Sequence, residues 1–282
     1  MVPVLRLGDI AVGTHDLFSI AGILAGLVLY YLALRRRGML DGRIMFISLA
    51  VLIGGGIGGR LLLAFEHLEA YEDLGAAPLT WVIEHSGKSL LGAIAGGWVA
   101  AVVAKWAFGY RRSTGDCYAL AIPVAVAIGR VGCFLSELPL GTPTTLPWGV
   151  RVPEEAAAAF AWCPGCAGPM HPSMLYEIAF NLVAIVVILR YGRRILVQGD
   201  LLKAYLLAAF VFRFLVEFLR GNEPQALGLT GPQLVLIPMT ALLVIHFVRE
   251  ARQGLWRVPA PPPPVPAGIT EGERHELAAT AT

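Results

Sequence analysis

The chain has 282 residues, of which 56% are hydrophobic and 15% are charged, and its mean hydropathy is +0.67. Because a soluble domain carries about 25% charged residues, this composition excludes an ordinary soluble fold and predicts an all-α polytopic membrane protein. The formal net charge of +2, with the basic residues in short loops, gives no support to a nucleic-acid partner.

Seven apolar runs have about the length that a helix needs to cross a bilayer, and they predict seven transmembrane helices. The runs lie at about Leu17–Leu34, Ile44–Phe65, Ser89–Phe108, Cys117–Leu135, Ser173–Leu189, Leu201–Leu219 and Gly231–Val248. The first ten residues lack the pattern of a cleavable signal peptide, so we expect the first span to act as its own insertion signal.

The basic residues between these runs predict the orientation of the spans. They are concentrated in the first, third and fifth connections and after the last span, as Arg35, Arg36, Arg37, Arg43, Arg111, Arg112, Arg190, Arg193, Arg194, Arg249, Arg252 and Arg257. Since cytoplasmic loops carry an excess of Lys and Arg, we expect the N-terminus outside and the C-terminus in the cytoplasm. The long connection between spans four and five, about 136–171, then lies outside and is expected to be a functional loop.

Charged residues inside the apolar runs are the strongest functional signal of the sequence. Arg60, Arg130 and Arg213 lie in spans two, four and six, each in the outer part of its span, and Glu217 follows Arg213 by one helical turn. Ionisable groups at this depth usually pair or face a polar cavity. Because arginine binds phosphate in a bidentate manner, three converging arginines predict a site for a phospholipid head group. The alternative is that each arginine reaches the interface or pairs locally with a carboxylate.

Two further segments indicate structure rather than catalysis. Cys163 and Cys166 form a single CxxC in the outer loop, where the pattern is compatible with a local disulfide and a zinc site lacks two ligands with supporting spacing. A proline-rich run begins at Pro259, and it predicts a disordered cytoplasmic tail over residues 259–282 after a membrane domain over residues 1–258.

Several short motifs occur in an order that resembles the prolipoprotein diacylglyceryl transferase family. The motifs are Gly58-Gly-Arg60, Gly129-Arg-Val-Gly-Cys-Phe-Leu-Ser-Glu137, Leu146-Pro-Trp148, His171-Pro-Ser-Met-Leu-Tyr-Glu177, Arg213-Phe-Leu-Val-Glu-Phe-Leu-Arg220 and Gly231-Pro-Gln233. Each motif alone is weak evidence, whereas their order on a seven-span chain is strong evidence.

The resemblance implies an enzyme that transfers the diacylglyceryl group of phosphatidylglycerol to the lipobox cysteine thiol of a preprolipoprotein. It implies a multi-pass protein of the bacterial inner membrane, with an active site toward the outer leaflet and no cofactor or metal. The residues implied to be catalytic are Arg213, Glu217, Glu137 and His171, and those implied to bind phosphatidylglycerol are Arg130, Arg60 and Arg213. The phosphate leaving group would be held by the arginines, and a base would deprotonate the substrate thiol.

The chain departs from the family pattern where that base is expected. Leu91 stands in place of the family's third-span histidine, and His85, Lys88 or His171 would have to replace it in a different geometry. Cys133 stands in place of the signature asparagine. Two alternatives therefore stay open: a transferase of the same fold with another acceptor or lipid, and a non-catalytic phospholipid-binding membrane protein.

Overall fold

A computed structural model describes residues 4–7, 10–66, 89–136, 141–151, 168–192, 197–222 and 224–254. The predicted proline-rich tail, the CxxC of Cys163 and Cys166, and Glu137 lie outside these ranges. Within them, the protein is mostly helical, as the composition predicts.

The chain begins with an antiparallel hairpin in which Val4 pairs with Gly13 and Leu7 pairs with Ile10. The elements, in chain order, are β1 (Val4–Leu7), β2 (Ile10–Gly13), α1 (Thr14–Arg36), α2 (Gly42–Glu66), α3 (Leu90–Ala107), α4 (Gly115–Tyr118), α5 (Ala121–Ser136), β3 (Val150–Arg151), β4 (Pro169–Met170), α6 (Ser173–Tyr191), α7 (Asp200–Glu217) and α8 (Gly231–Arg252).

Six helical segments in the described ranges are long and apolar enough to cross a membrane. They are Thr14–Arg36, Gly42–Leu62, Leu90–Ala107, Gly115–Ser136, Ser173–Tyr191 and Gly231–Arg252. Many of their large apolar side chains are exposed, including Trp98 and Trp106, as expected for surfaces that face lipid. The chain is therefore a multi-pass membrane protein.

The remaining predicted span, Leu201–Leu219, corresponds to α7, which differs from the six apolar segments in its charge. Its 18 residues include Asp200, Lys203, Arg213 and Glu217. Each charge makes the free energy of insertion into the membrane less favourable by a few kcal/mol on insertion scales. The prediction of seven spans therefore stays a prediction, and the charges of α7 need partners on neighbouring helices.

Small residues pack the helices into close pairs. A Cβ atom added to Gly54 of α2 would lie 2.8 Å from the Gly96 carbonyl oxygen of α3, and one added to Gly22 of α1 would lie 2.6 Å from the Ala125 carbonyl oxygen of α5. Backbones that approach this closely have no room for a side chain. The glycine runs beside Arg60 and Leu91 thus serve the packing of α2 against α3.

The helices that carry the internal charges pack against one another beside these pairs. α6 contacts both α5 and α7, and α8 lies against α7. The rings of Phe180 on α6 and Phe212 on α7 stack with centroids 4.3 Å apart. Leu91, Phe210 and Leu236 form an apolar cluster between α3, α7 and α8. This arrangement brings charges of α5, α6 and α7 to one place.

The described ends of the connection between α5 and α6 are tied to the same helices. The Thr142 amide donates to the carbonyl of Leu219, and the His171 amide donates to the carbonyl of Thr142. β3 and β4 pair antiparallel, with Val150 opposite Met170. The connection is therefore fixed against the end of α7 and the start of α6.

Candidate active site

A buried glutamate at the start of α6 lies at the centre of the charged site. Glu177 is 4% exposed. Its carboxylate is 2.5 Å from Nε of Arg130 and 3.2 Å from Nη1 of Arg220, and Nε of Arg213 is 3.9 Å away. Three guanidinium groups from α5, α7 and the turn after α7 thus surround one carboxylate.

A second buried carboxylate orients two of the same arginines. Glu217 is 1% exposed and forms an ion pair with Arg213 one helical turn earlier. Its Oε1 accepts hydrogen bonds from Asn222 at 2.5 Å and from the Thr230 hydroxyl at 3.1 Å. Nε of Arg220 lies 3.9 Å from its Oε2. The Glu217 carboxylate is therefore held in place both by hydrogen bonds from neutral side chains and by the two arginines.

The charges of this cluster do not balance. Among the described residues, Arg130, Arg213 and Arg220 contribute three positive charges against two negative charges from Glu177 and Glu217, which leaves one positive charge in excess. A buried charge is stable only when it is paired or neutralised. An anionic group that enters the site would supply the missing negative charge.

A cavity of about 440 Å³ opens onto this cluster. Its polar lining includes the three arginines and Glu177, and its apolar lining includes Leu91, Ile94, Ile122, Val126, Leu206, Phe210 and Phe212. The Tyr205 hydroxyl, also at the cavity, donates to Asn181 Oδ1 at 2.8 Å. A cavity with one charged end and an apolar remainder suits an amphiphile with an anionic head.

The charge of Arg220 persists in this setting. Burial, followed by the repulsion of Arg213, lowers the pKa of the Arg220 guanidinium from its ordinary value, and Glu177 opposes the shift. An arginine titrates so far above neutrality that it stays protonated. Its buried Nε has no hydrogen-bond partner among the described residues, so one donor is still unsatisfied.

Leu91 is part of the cavity wall. It is 7% exposed, lies in the first turn of α3 and packs in the apolar cluster with Phe210 and Leu236. Ser89 caps this helix, and its hydroxyl accepts a hydrogen bond from the Gly92 amide at 3.2 Å. Leu91 therefore faces the cavity and supplies no proton acceptor to it.

His171 is placed at the entrance to α6 and not among the residues that line the described cavity. Its Nδ1 lies within hydrogen-bond distance, 3.0 Å, of the Tyr176 hydroxyl, and the Trp148 indole donates to the same hydroxyl at 2.9 Å. These bonds join the Leu-Pro-Trp and His-Pro-Ser motifs to each other. They position the connection between α5 and α6 at the start of α6, and a catalytic role of His171 stays a prediction.

The structure brings together two of the three arginines that sequence reasoning grouped. Arg130 and Arg213 share Glu177, whereas the exposed Arg60 on α2 is not among the lining residues of the described cavity. The predicted span gives the depth of Arg60 in the membrane, but it does not predict which face of α2 carries the side chain. Glu137 lies outside the described residues, so its role stays a prediction.

Sequence reasoning missed two charged members of the site. Glu177 and Arg220 are the last residues of two of the sequence motifs, and the motifs alone assign them no role. Glu177 is a carboxylate within an apolar helix, and this signal alone marks it as a candidate. Cys133 is a weak partner of Arg130, whose Nη1 donates a long hydrogen bond to the Cys133 sulfur atom at 3.8 Å.

The fold and the site define a class: a multi-pass membrane protein whose helices enclose a cation-rich cavity suited to an anionic amphiphile. The comparisons with known proteins agree with this class and narrow it. A family model for prolipoprotein diacylglyceryl transferase matches residues 3–249. The chain belongs to the prolipoprotein diacylglyceryl transferase family, and the resemblance drawn from its motifs is confirmed.

Individual relatives cover most of the chain. A protein of Cereibacter sphaeroides is 33% identical over 241 residues, which are 76% of this chain and 78% of the relative. One of Mycobacteroides abscessus is 32% identical over 239 residues, with 79% and 69% covered, and one of Azotobacter vinelandii is 29% identical over 272 residues, with 88% and 95% covered. All three bear the name phosphatidylglycerol–prolipoprotein diacylglyceryl transferase.

Proposed function

We propose that this protein transfers the diacylglyceryl group of phosphatidylglycerol to the lipobox cysteine thiol of preprolipoproteins, the first step of bacterial lipoprotein maturation. The observation that carries the proposal is the cavity in which Arg130, Arg213 and Arg220 surround Glu177 with one positive charge in excess. Family membership and the names of the relatives support it.

The reaction is a substitution at carbon, and the site supplies what its leaving group needs. The substrate thiolate forms a C–S bond to the glycerol carbon of the diacylglyceryl group, and the C–O bond to the phosphate breaks. The electron pair leaves with glycerol 1-phosphate, and the thiol proton passes to a base. Arg130 and Arg213 hold the phosphate and offset its growing charge, with Arg220 beside them. The carboxylates of Glu177 and Glu217 keep the three guanidinium groups oriented.

The base is the open point of this mechanism, because Leu91 occupies the wall position that a histidine would serve. We propose Glu137 and His171 as the remaining groups that act on the substrates, with Glu217 orienting Arg213. A cysteine thiol with an ordinary pKa of about 8.5 is a few per cent ionised at neutral pH, so some transfer proceeds without a strong base.

The proposal includes an orientation in the bacterial inner membrane. Seven spans, with α7 as the sixth, place the N-terminus outside and the C-terminus in the cytoplasm, since the arginine-rich connections then lie inside. The cavity faces the outer leaflet, and the long connection between α5 and α6 lies outside. Arg60 is exposed on α2. In this orientation it contacts the head groups of surrounding lipids and guides phosphatidylglycerol toward the cavity.

A second candidate function rests on Leu91. A cavity wall without a proton acceptor suits a phospholipid-dependent transferase of the same fold whose acceptor ionises more readily than a cysteine thiol. This enzyme would consume phosphatidylglycerol but would leave a lipobox peptide unmodified.

The test is a transfer assay with purified protein, phosphatidylglycerol labelled in the glycerol-linked acyl chains, and a lipobox peptide. The matched control is the same peptide with serine in place of its cysteine. The proposal predicts label on the cysteine peptide only, together with release of glycerol 1-phosphate. Lipid that binds without turnover would identify a non-catalytic lipid-binding protein, and turnover without peptide labelling would favour another acceptor.

A further inference from the structure

A second charged cluster lies at the opposite end of α7 from the candidate active site. It consists of Asp200, Lys203, His246 and Glu250, and we call it the inner cluster. Nε2 of His246 is 3.1 Å from Asp200 Oδ1 and 3.1 Å from Glu250 Oε1. Asp200 comes from the first turn of α7, whereas His246 and Glu250 are one turn apart on α8. One imidazole and two carboxylates thus converge from two packed helices.

The two carboxylates of this cluster are buried and incompletely satisfied. Asp200 is 1% exposed and Glu250 is 8% exposed. Oδ2 of Asp200 and Oε2 of Glu250 are both buried and accept no hydrogen bond from the described residues. Buried polar atoms nearly always have a partner in native proteins, so each unsatisfied oxygen needs an explanation. Asp200 and Glu250 also lie close enough to hydrogen-bond to each other through a shared proton. A divalent cation in place of that proton would satisfy both carboxylates.

The charges of the inner cluster also leave room for a cation. Lys203 supplies one positive charge against the two carboxylates, which leaves one negative charge in excess when His246 is neutral. Nζ of Lys203 lies 2.9 Å from Asp200 Oδ1 and 2.9 Å from His246 Nε2. The lysine side chain is 35% exposed, so its ammonium has a path outward to solvent. The ammonium therefore holds the position that a bound ion would take.

The ligand set and its spacing fit a small divalent ion. One ligand atom from each of Asp200, His246 and Glu250 lies within 4.8 Å of the others. Imidazole nitrogen and carboxylate oxygen are ligands of zinc and of other first-row divalent metals, and three protein ligands are enough when a water fills the remaining position. The histidine and glutamate one turn apart on a helix point to the same side.

We propose that Asp200, His246 and Glu250 form a divalent transition-metal site that clamps α7 to α8, with Lys203 as the cation that a metal displaces. Asp200 and Glu217 are separated by about 25 Å along α7, given a rise of about 1.5 Å per residue. The metal is therefore remote from the reacting groups and structural in its role. It fixes the helix that carries Arg213 and Glu217 at the end far from the cavity.

The test measures zinc binding to the tag-free full chain in detergent after treatment with a chelator. The proposal predicts about one tightly bound zinc ion per chain. His246→Gln and Asp200→Asn reduce the affinity about tenfold or more because each removes a ligand, and Lys203→Gln raises it about tenfold or more because it removes a competing charge. The control is His15→Gln, which changes a half-buried histidine beside Asp16, outside the inner cluster, and leaves binding unchanged.

The thermal midpoint gives a second readout. Zinc raises the midpoint of the wild type and of Lys203→Gln, and it leaves the midpoint of His246→Gln unchanged. If neither the wild type nor Lys203→Gln binds more zinc than His246→Gln, the lysine alone balances the cluster and the proposal is overturned. Both readouts are independent of transfer activity, so failure of the proposed function leaves this test intact.

Discussion

The two ends of α7 carry opposite charge imbalances. Near Glu217, three guanidinium groups surround two carboxylates and leave an excess of positive charge beside a cavity. Near Asp200, two carboxylates exceed one lysine, and this cluster is not among the residues that line the cavity at the other end. The first imbalance suits an anionic substrate that enters and leaves, whereas the second suits a small ion that stays. The comparison indicates that charges on one membrane helix serve different functions according to the groups that surround them.

The largest effect is expected when the cavity end of α7 loses its cation. Arg213→Ala removes a guanidinium that contacts both Glu177 and Glu217. Loss of one charge that stabilises a leaving group costs about 10²–10³-fold in rate, so the transfer of labelled lipid to the lipobox peptide should fall by at least that factor. Arg36→Ala, which changes an exposed arginine at the end of α1, is the control and should transfer normally. A normal rate for Arg213→Ala would remove this residue from the reaction.

The next largest effect is expected from the carboxylate that joins the three arginines. Glu177→Gln keeps the shape of the side chain but leaves Arg130 and Arg220 without their shared counter-charge. Breaking a buried ion pair in this way costs about 3–5 kcal/mol, so chemical denaturation should show a clear loss of stability. Anionic phospholipid should restore more stability to this variant than to the wild type. An unchanged unfolding curve would mean that the arginines do not depend on Glu177.

The apolar cavity wall at Leu91 predicts that the transfer rate depends on pH. Without a strong base, the wild-type transfer rate should rise with pH up to the ordinary thiol pKa of about 8.5. Leu91→His places an imidazole on the cavity wall and should raise the rate at pH 7 by about tenfold or more, because a positioned base contributes at least that much.

The pH profile of Leu91→His should also shift toward lower pH relative to the wild type. Leu91→Asn is the matched control, since it is polar but takes up no proton, and it should leave the profile unchanged. His and Cys titrate between about pH 6 and pH 9. A wild-type transfer rate that does not vary over this range would mean that another residue of the site already acts as the base.

The smallest effect is expected at Arg60, which distinguishes the cavity from its surroundings. The side chain is exposed on α2 and does not line the described cavity. Arg60→Ala should raise the KM for phosphatidylglycerol a few-fold and leave kcat unchanged, because an exposed charge aids encounter more than chemistry. A loss of kcat as large as that of Arg213→Ala would place Arg60 in the reaction centre.

Local rules predicted one part of the site from sequence. The i, i+4 spacing predicts the pair of Arg213 with Glu217, and an arginine inside an apolar run predicts that Arg130 faces a polar site. These predictions need only helical periodicity and the cost of a charge in lipid. The order of the family motifs supplied the class of reaction.

The remaining part depends on contacts between helices that are distant in sequence. Glu177 contacts Arg130 and Arg213 from other helices, and no local spacing indicates that all three meet. The predicted span gives the depth of Arg60 in the membrane. The direction in which its side chain points depends on the rotation of α2 about its axis, which is set by the glycines that pack α2 against α3. The inner cluster joins Asp200 to His246 across two helices and was likewise not predicted.

The central claim is that the arginines around Glu177 hold the phosphate of phosphatidylglycerol. The most direct measurement is a crystal structure of the full chain with phosphatidylglycerol bound. The account predicts the phosphate oxygens within hydrogen-bond distance of the guanidinium groups of Arg130 and Arg213, with the acyl chains along the apolar wall near Leu91. A phosphate bound only at the exposed Arg60, with the arginine and Glu177 cluster left closed, would contradict it.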